Sequence, residues 1–199
     1  GAGDRAFCAG ADIGGDLSAS AEIAQRVNDA LLKTKVYTKP IIAAVNGDCA
    51  GGGVELLLST DIRIAATTAR FGLPEVKWSI YPFGGATVKL VQQIGHVHAM
   101  DLILTGRLID ATTAADLNLI NRVVAPDAVL DDAMATAAAI AANSPVAVLA
   151  VKEQICAGIA AYTQSREATE QQLGDRVRAS THFAPGIAAF RDKKKPSYD

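Results

Sequence analysis

Two glutamates and a run of glycines are the residues best suited to chemistry. Gly51-Gly52-Gly53 is followed at once by Val54 and Glu55, and Glu75 lies 20 positions further on, directly after Pro74. Glycines carry no Cβ, so backbone there can come within contact distance of a ligand. If a helix begins at them, its first amides have no intrahelical acceptor and its dipole favours negative charge. Phosphate is one such guest, but the Walker pattern requires Gly-Lys-Ser/Thr, and Val54-Glu55 stands there instead. The G-x-G-x-x-G pattern fails as well. Glu55 would repel a bound phosphate, which leaves a transient oxyanion as the better guest. The plain alternative is that the glycines only permit tight packing, and spacing alone does not separate the two.

Glu55 falls in the first turn of the expected helix. There a carboxylate complements the dipole, worth roughly 0.3–1 kcal/mol, or serves as a general acid or base beside an oxyanion hole. Glu75 reads as a loop residue, and a lone loop glutamate is ordinarily just solvated. Two carboxylates that met could share a water and divide proton donation and removal between them. Other candidates are weaker. His96 and His98, two apart, point to different sides of a helix, and no H-E-x-x-H or carboxylate–histidine cluster supports a metal. Cys49 beside the glycines reads as a small buried residue rather than a nucleophile, since no histidine motif accompanies it. The C-terminal Lys193-Lys194-Lys195 run reads as a solvated tail.

The elements that must position these groups follow from pattern. Ser18 to Lys35 is expected to be an amphipathic helix, with Ile23, Val27, Ala30 and Leu31 on one stripe, stopped by Lys39-Pro40. Ile41 to Val45 is a short continuous apolar run, hence a buried strand. A helix is expected from about Gly53 to Thr60, a strand over 61–65, and loops at Phe71 to Pro74 and at Pro82 to Gly85. From Thr87 the pattern turns helical: 97–104, 112–118, 130–142, a start at Ser144-Pro145, then helices over 165–180 and 185–191. Strand–turn–helix units in the first half and a helical annex in the second define an α/β chain. The division falls at 1–115, a core, and 116–199, a helical region.

Composition agrees. Of 199 residues half are hydrophobic, 5% are aromatic and 38 are alanine, which favours closely packed helices over a β-sandwich or a disordered chain. A net charge of −2 leaves no basic footprint for nucleic acid. The three cysteines form neither a C-x-x-C pair nor an even disulfide framework, so a reducing cytoplasm is the expected home. Runs such as Val146 to Val151 are far shorter than the ~20 residues of a membrane span, and no signal-peptide core opens the chain.

Several segments, taken in order, carry a likeness to a known family: Ala6-Phe7-Cys8-Ala9-Gly10-Ala11-Asp12-Ile13, Lys39-Pro40-Ile41-Ile42-Ala43-Ala44-Val45-Asn46-Gly47, and Ala50-Gly51-Gly52-Gly53-Val54-Glu55-Leu56. Asp61 to Ala65, Phe71-Gly72-Leu73-Pro74-Glu75 and Ala188-Ala189-Phe190 continue it. Together they resemble the crotonase superfamily (enoyl-CoA hydratase/isomerase) over nearly the whole chain. The resemblance implies a ββα spiral core with a C-terminal helical region that builds trimers or dimers of trimers. It implies an acyl-CoA thioester as substrate, no separate cofactor, and two backbone amides, at Ala11 and Gly52, that hold a thioester enolate.

Glu55 and Glu75 match the two glutamates of hydratase members, so the implied reaction adds water across a trans-2-enoyl-CoA. Substrate contacts are implied at Ala9, Ala11, Asp12, Ile13, Gly51, Gly52, Pro74 and Phe83. Phe83 stands where hydratases commonly carry a pocket glycine, so it would narrow or reshape the acyl site. The family also has an N-terminal segment before the Ala9-Gly10-Ala11-Asp12 turn that this sequence is expected to lack. A same-fold isomerase, a carnitinyl-CoA dehydratase and a non-catalytic acyl-CoA-binding subunit are the alternatives.

Overall fold

The apolar run after Pro40 and the Asn46-Gly47 turn set the scaffold. The structure, a computed structural model, describes residues 1–12 and 21–198. Ile42–Val45 forms β2, which pairs in parallel with β4 (Ile62–Ala66), and β4 pairs in parallel with β7 (Arg122–Val124). Residues 122–124, assigned above to the helical region, thus extend a core sheet. A second sheet has the order β1 (Ala6–Cys8), β3 (Asp48–Ala50), β5 (Arg70–Gly72), β6 (Ile109–Asp110). Its first three strands are parallel, and only β6 runs against β5.

That register decides where the site forms. Cys8 pairs with Cys49, and Ala50 with Gly72. Parallel strands end on the same side, so the chain leaves β1 at Ala9-Gly10, β3 at Gly51 and β5 at Leu73-Pro74 along one sheet edge. Between the layers lie Val45, Cys49, Leu57, Phe71, Leu73 and Leu90, all essentially without exposure. Cys49 is the buried small residue expected, and burial pushes its thiol well up.

Helices depart from expectation at their ends. α1 spans Ala21–Ala30 rather than reaching Lys35: Leu32 takes φ 51°, and the Lys33 amide bonds back to the Asn28 carbonyl at 3.0 Å. This is a left-handed stop that side-chain periodicity does not announce. Its expected start at Ser18 lies outside the described residues. α2 is Gly52–Leu57. The expected loop after Phe71 is instead the end of β5 followed by a 3-10 helix at Pro74–Trp78. Then follow α3 (Ala86–Ile94), α4 (His96–Thr105), α5 (Ala111–Asp116) and α6 (Val129–Ala141).

The largest correction is α7. The two helices expected after Ser144 are one helix of 34 residues, Pro145–Arg178, which runs unbroken through Gly158. By length and composition α7 is also apolar enough to cross a membrane, and only 11% of that window is buried in the fold. Its polar groups tie it to the protein instead. Lys152 forms an ion pair with Asp61, and Lys33 forms one with Glu170 at 2.7 Å, both partners buried. α8 (Phe183–Arg191) closes the chain, with Phe190 edge-on to Trp78 at 5.2 Å.

Candidate active site

Two Ala-Gly turns meet at the common strand edge. Gly10 has φ 91° and Gly51 φ 56°, a region that L side chains rarely enter. A methyl on Gly10 would stand 3.0 Å from the Ala50 carbonyl oxygen and 3.1 Å from the Gly52 nitrogen. A methyl on Gly52 would stand 3.7 Å from the Ala11 nitrogen. The amides of Ala11 and Gly52 are therefore neighbours, and only glycine lets their backbones approach so closely. Gly53 meets β1 more tightly still: its absent methyl would lie 2.1 Å from the Cys8 carbonyl oxygen.

Glu55 follows one turn into α2 and points inward. It is 5% exposed, and its Oε1 accepts a 2.6 Å hydrogen bond from the Gly84 amide. Burial, reinforced by the charge of Glu75, raises its pKa to about 8 against the pull of the Gly84 and Ala86 amides. Glu75 sits in the first turn of the 3-10 helix, not in a solvated loop. Burial raises its pKa to about 7, and its Oε2 is buried without a hydrogen-bond partner among the described residues. A methyl on Gly51 would come within 2.9 Å of Glu75 Oε1. The two carboxyls thus lie beside the two turns, and each gives up its proton less readily than a free carboxyl does. As a coupled pair they donate one proton and accept another.

Ala9, Ala11 and Asp12 are exposed at the mouth of the turns, Gly51 is buried and Pro74 half-buried beneath Glu75. Ile13 lies outside the described residues. Phe83 is half-buried and directly precedes the Gly84 amide that holds Glu55. A cavity of about 880 Å³ opens elsewhere, between the first half of α7 and residues such as Leu58, Asp61 and Gln93. It contains neither glutamate, and the buried carboxyl pair marks the chemistry better than that larger space.

Sequence reasoning missed the polar layer behind Glu55. Lys89 is buried in α3 with its ammonium on the Leu32 carbonyl (3.1 Å) and Ser59 Oγ (2.8 Å), and burial lowers its pKa to about 8. Glu170 accepts from Thr87 Oγ1 at 2.9 Å. A lysine at a core position of a helical stripe was the one available signal, since such a residue is rarely buried unpaired.

Two turns with apposed amides and two hard-to-ionise carboxyls on a parallel α/β scaffold are an arrangement suited to acid–base chemistry beside a negatively charged oxygen. The chain belongs to the enoyl-CoA hydratase/isomerase family, whose model matches residues 1–199. It is 40% identical to the enoyl-CoA hydratase EchA19 of Mycobacterium tuberculosis, over 96% of this chain and 75% of that protein. It is 36% identical to the short-chain-enoyl-CoA hydratase of Clostridium acetobutylicum, over 98% of this chain and 76% of the other. Among solved structures, carnitinyl-CoA hydratase from Mycobacterium avium superposes with a TM-score of 0.89 at 35% identity. It does so over 100% of this chain and 78% of its own.

Proposed function

We propose that the protein is an enoyl-CoA hydratase, adding water reversibly across the 2,3 double bond of a trans-2-enoyl-CoA to give the 3-hydroxyacyl-CoA. The observation that carries this reading is the pair of buried Glu55 and half-buried Glu75, with pKa values of about 8 and about 7. Near neutral pH such a pair holds roughly one proton, as a hydration needs. The ionised carboxylate takes a proton from water as its oxygen bonds to Cβ. The electron pair of the double bond moves onto the thioester as an enolate, and the other carboxyl delivers a proton to Cα.

Hydrogen bonds from the amides of Ala11 and Gly52 hold the enolate oxygen. Ala9, Asp12, Gly51, Pro74 and Phe83 line the path of the substrate, and CoA enters only as part of the thioester. Exposed apolar residues on the C-terminal helices, Leu130, Met134 and Ile155 among them, support assembly into trimers or dimers of trimers.

The test is loss of the conjugated enoyl-thioester absorbance with crotonyl-CoA, for the parent and for Glu55→Gln and Glu75→Gln. Turnover that collapses in both variants supports the reading. Turnover that survives either substitution overturns the two-carboxyl mechanism. An inert parent that dehydrates a branched hydroxyacyl-CoA would move the assignment to the carnitinyl-CoA type, which the 0.89 superposition favours as second.

A further inference from the structure

The far end of α7 touches the residue next to Glu55's hydrogen-bond donor. Glu170, Gly174 and Arg178 recur at four-residue spacing on one face of that helix. Gly174 is buried against the Phe83 ring: a methyl there would stand 1.8 Å from Phe83 Cζ and 2.2 Å from Cε1. The Arg178 guanidinium lies 4.3 Å from the ring centroid, a cation–π distance. Tyr81 meets the same ring edge-on at 5.3 Å. The ring is thus held from three sides, two of them on α7.

On the other side of the same peptide, the Gly84 amide donates to Glu55 Oε1, and a methyl on Gly84 would stand 2.4 Å from Oε2. One turn earlier, Glu170 takes Thr87 and Lys33, fixing α7 against α3 and the turn after α1. The clamp is therefore anchored on both sides of the Phe83–Gly84 peptide.

We propose that Gly174 and Arg178 are positioning residues for the acid–base pair: they hold the Phe83 ring, and the Phe83–Gly84 peptide passes that constraint to the amide that orients Glu55. This rests on the hydratase reading for its consequence in turnover, but its geometry does not depend on it. Phe83 is then both a wall of the acyl site and a lever, and α7 reaches the chemistry without touching substrate.

The charged groups facing Glu55 are Glu75 from the 3-10 helix, Glu170 from α7 and Lys89 from α3, with Lys33 paired to Glu170. None of them changes when Gly174 or Phe83 is replaced. A moved Glu55 titration therefore reports a change around its carboxyl, where the Gly84 amide and the burial of the site are the parts next to Phe83. The Gly84 hydrogen bond favours the ionised carboxylate, so its loss raises the Glu55 pKa further.

The experiment uses Gly174→Ala, Phe83→Leu, the double variant, and Gly158→Ala as a control on the same helix whose methyl meets nothing. Crotonyl-CoA turnover is followed against pH, and the Glu55 carboxyl is titrated by carbon-13 NMR with Glu55→Gln to assign it. Gly174→Ala is expected to lower kcat about 10- to 100-fold with KM changed less, and to raise the Glu55 titration by about one pH unit.

Leucine lacks the ring atoms that the new methyl meets, so the double variant should be no worse than Phe83→Leu alone. Gly158→Ala should match the parent. If Gly174→Ala fails to fold, Arg178→Gln, which removes only the cation, must still raise the Glu55 titration. An unmoved Glu55 titration in a folded Gly174→Ala protein overturns the proposal, as does a double variant more impaired than Phe83→Leu alone. A parent that turns over no enoyl-CoA while the NMR titration still shifts in Gly174→Ala sinks the hydratase reading and leaves the clamp standing.

Discussion

The turns of the first half and the long helix of the second both close on Glu55, by opposite means. Around Gly10, Gly51, Gly52 and Gly53, backbone lies directly on backbone, and the absent side chains are what permit it. α7 instead reaches the site through a few side chains: Glu170 on Lys33 and Thr87, and Gly174 and Arg178 on Phe83. Backbone apposition fixes amides where they cannot be mutated away. Side-chain contact fixes a loop in a way that single substitutions tune. On the proposed reading, the two regions divide the work between a rigid anion site and an adjustable acid–base pair.

The sharpest way to break this division is to remove the carboxyls themselves. Glu55→Gln or Glu75→Gln should cost ~10²–10⁴ in turnover, measured by the enoyl absorbance assay, while the turns remain folded. Next comes the backbone side. Gly53→Ala drives a methyl into the Cys8 carbonyl oxygen, and denaturant unfolding should show a loss of about 3 kcal/mol or more.

Lys33→Met attacks the α7 side by leaving Glu170 buried without its cation. A loss of about 3 kcal/mol is expected, largely recovered when Glu170 is also made apolar. Gly158→Ala, on the exposed part of α7, should gain up to ~1 kcal/mol and leave turnover alone.

Proton linkage sharpens the comparison further. Both carboxyls titrate higher in the fold than their ordinary 4.5, near 8 for Glu55 and 7 for Glu75. A raised carboxyl favours the fold while protonated, so that contribution is complete below pH 4.5 and is lost as pH rises through 7 to 8. Glu55→Gln should therefore melt higher than the parent at pH 9, by on the order of 3 kcal/mol, and differ little at pH 4. Turnover, which needs one proton on the pair, should peak between about pH 7 and 8.

Much of the first region was legible in order. The strand at 42–45, the glycines opening α2 and both glutamates were marked by residue type, because a left-handed turn or a backbone contact leaves glycine almost no competitor. Lys89 and the continuity of α7 were not. A lysine in a helical stripe reads as surface until a carbonyl from another element reaches it, and nothing local says whether Gly158 breaks a helix or rides inside one. The stop of α1 at Ala30 is of the same kind, since Leu32 carries no sign of its left-handed backbone.

By itself, the order of residue types determined an α/β chain with two Ala-Gly turns, a pair of candidate carboxyls and the likeness to a family. Local propensity, turn chemistry and motif spacing are properties of short segments, and they survive in the unfolded string. Only the tertiary structure decided that Glu75 is half-buried with Oε2 shut away from solvent and that Glu55 is held by the Gly84 amide. It alone set Gly174 and Arg178, far along the chain, against Phe83. Those outcomes depend on parallel register and on which faces pack together, because burial and a shifted pKa are properties of surroundings rather than of a residue.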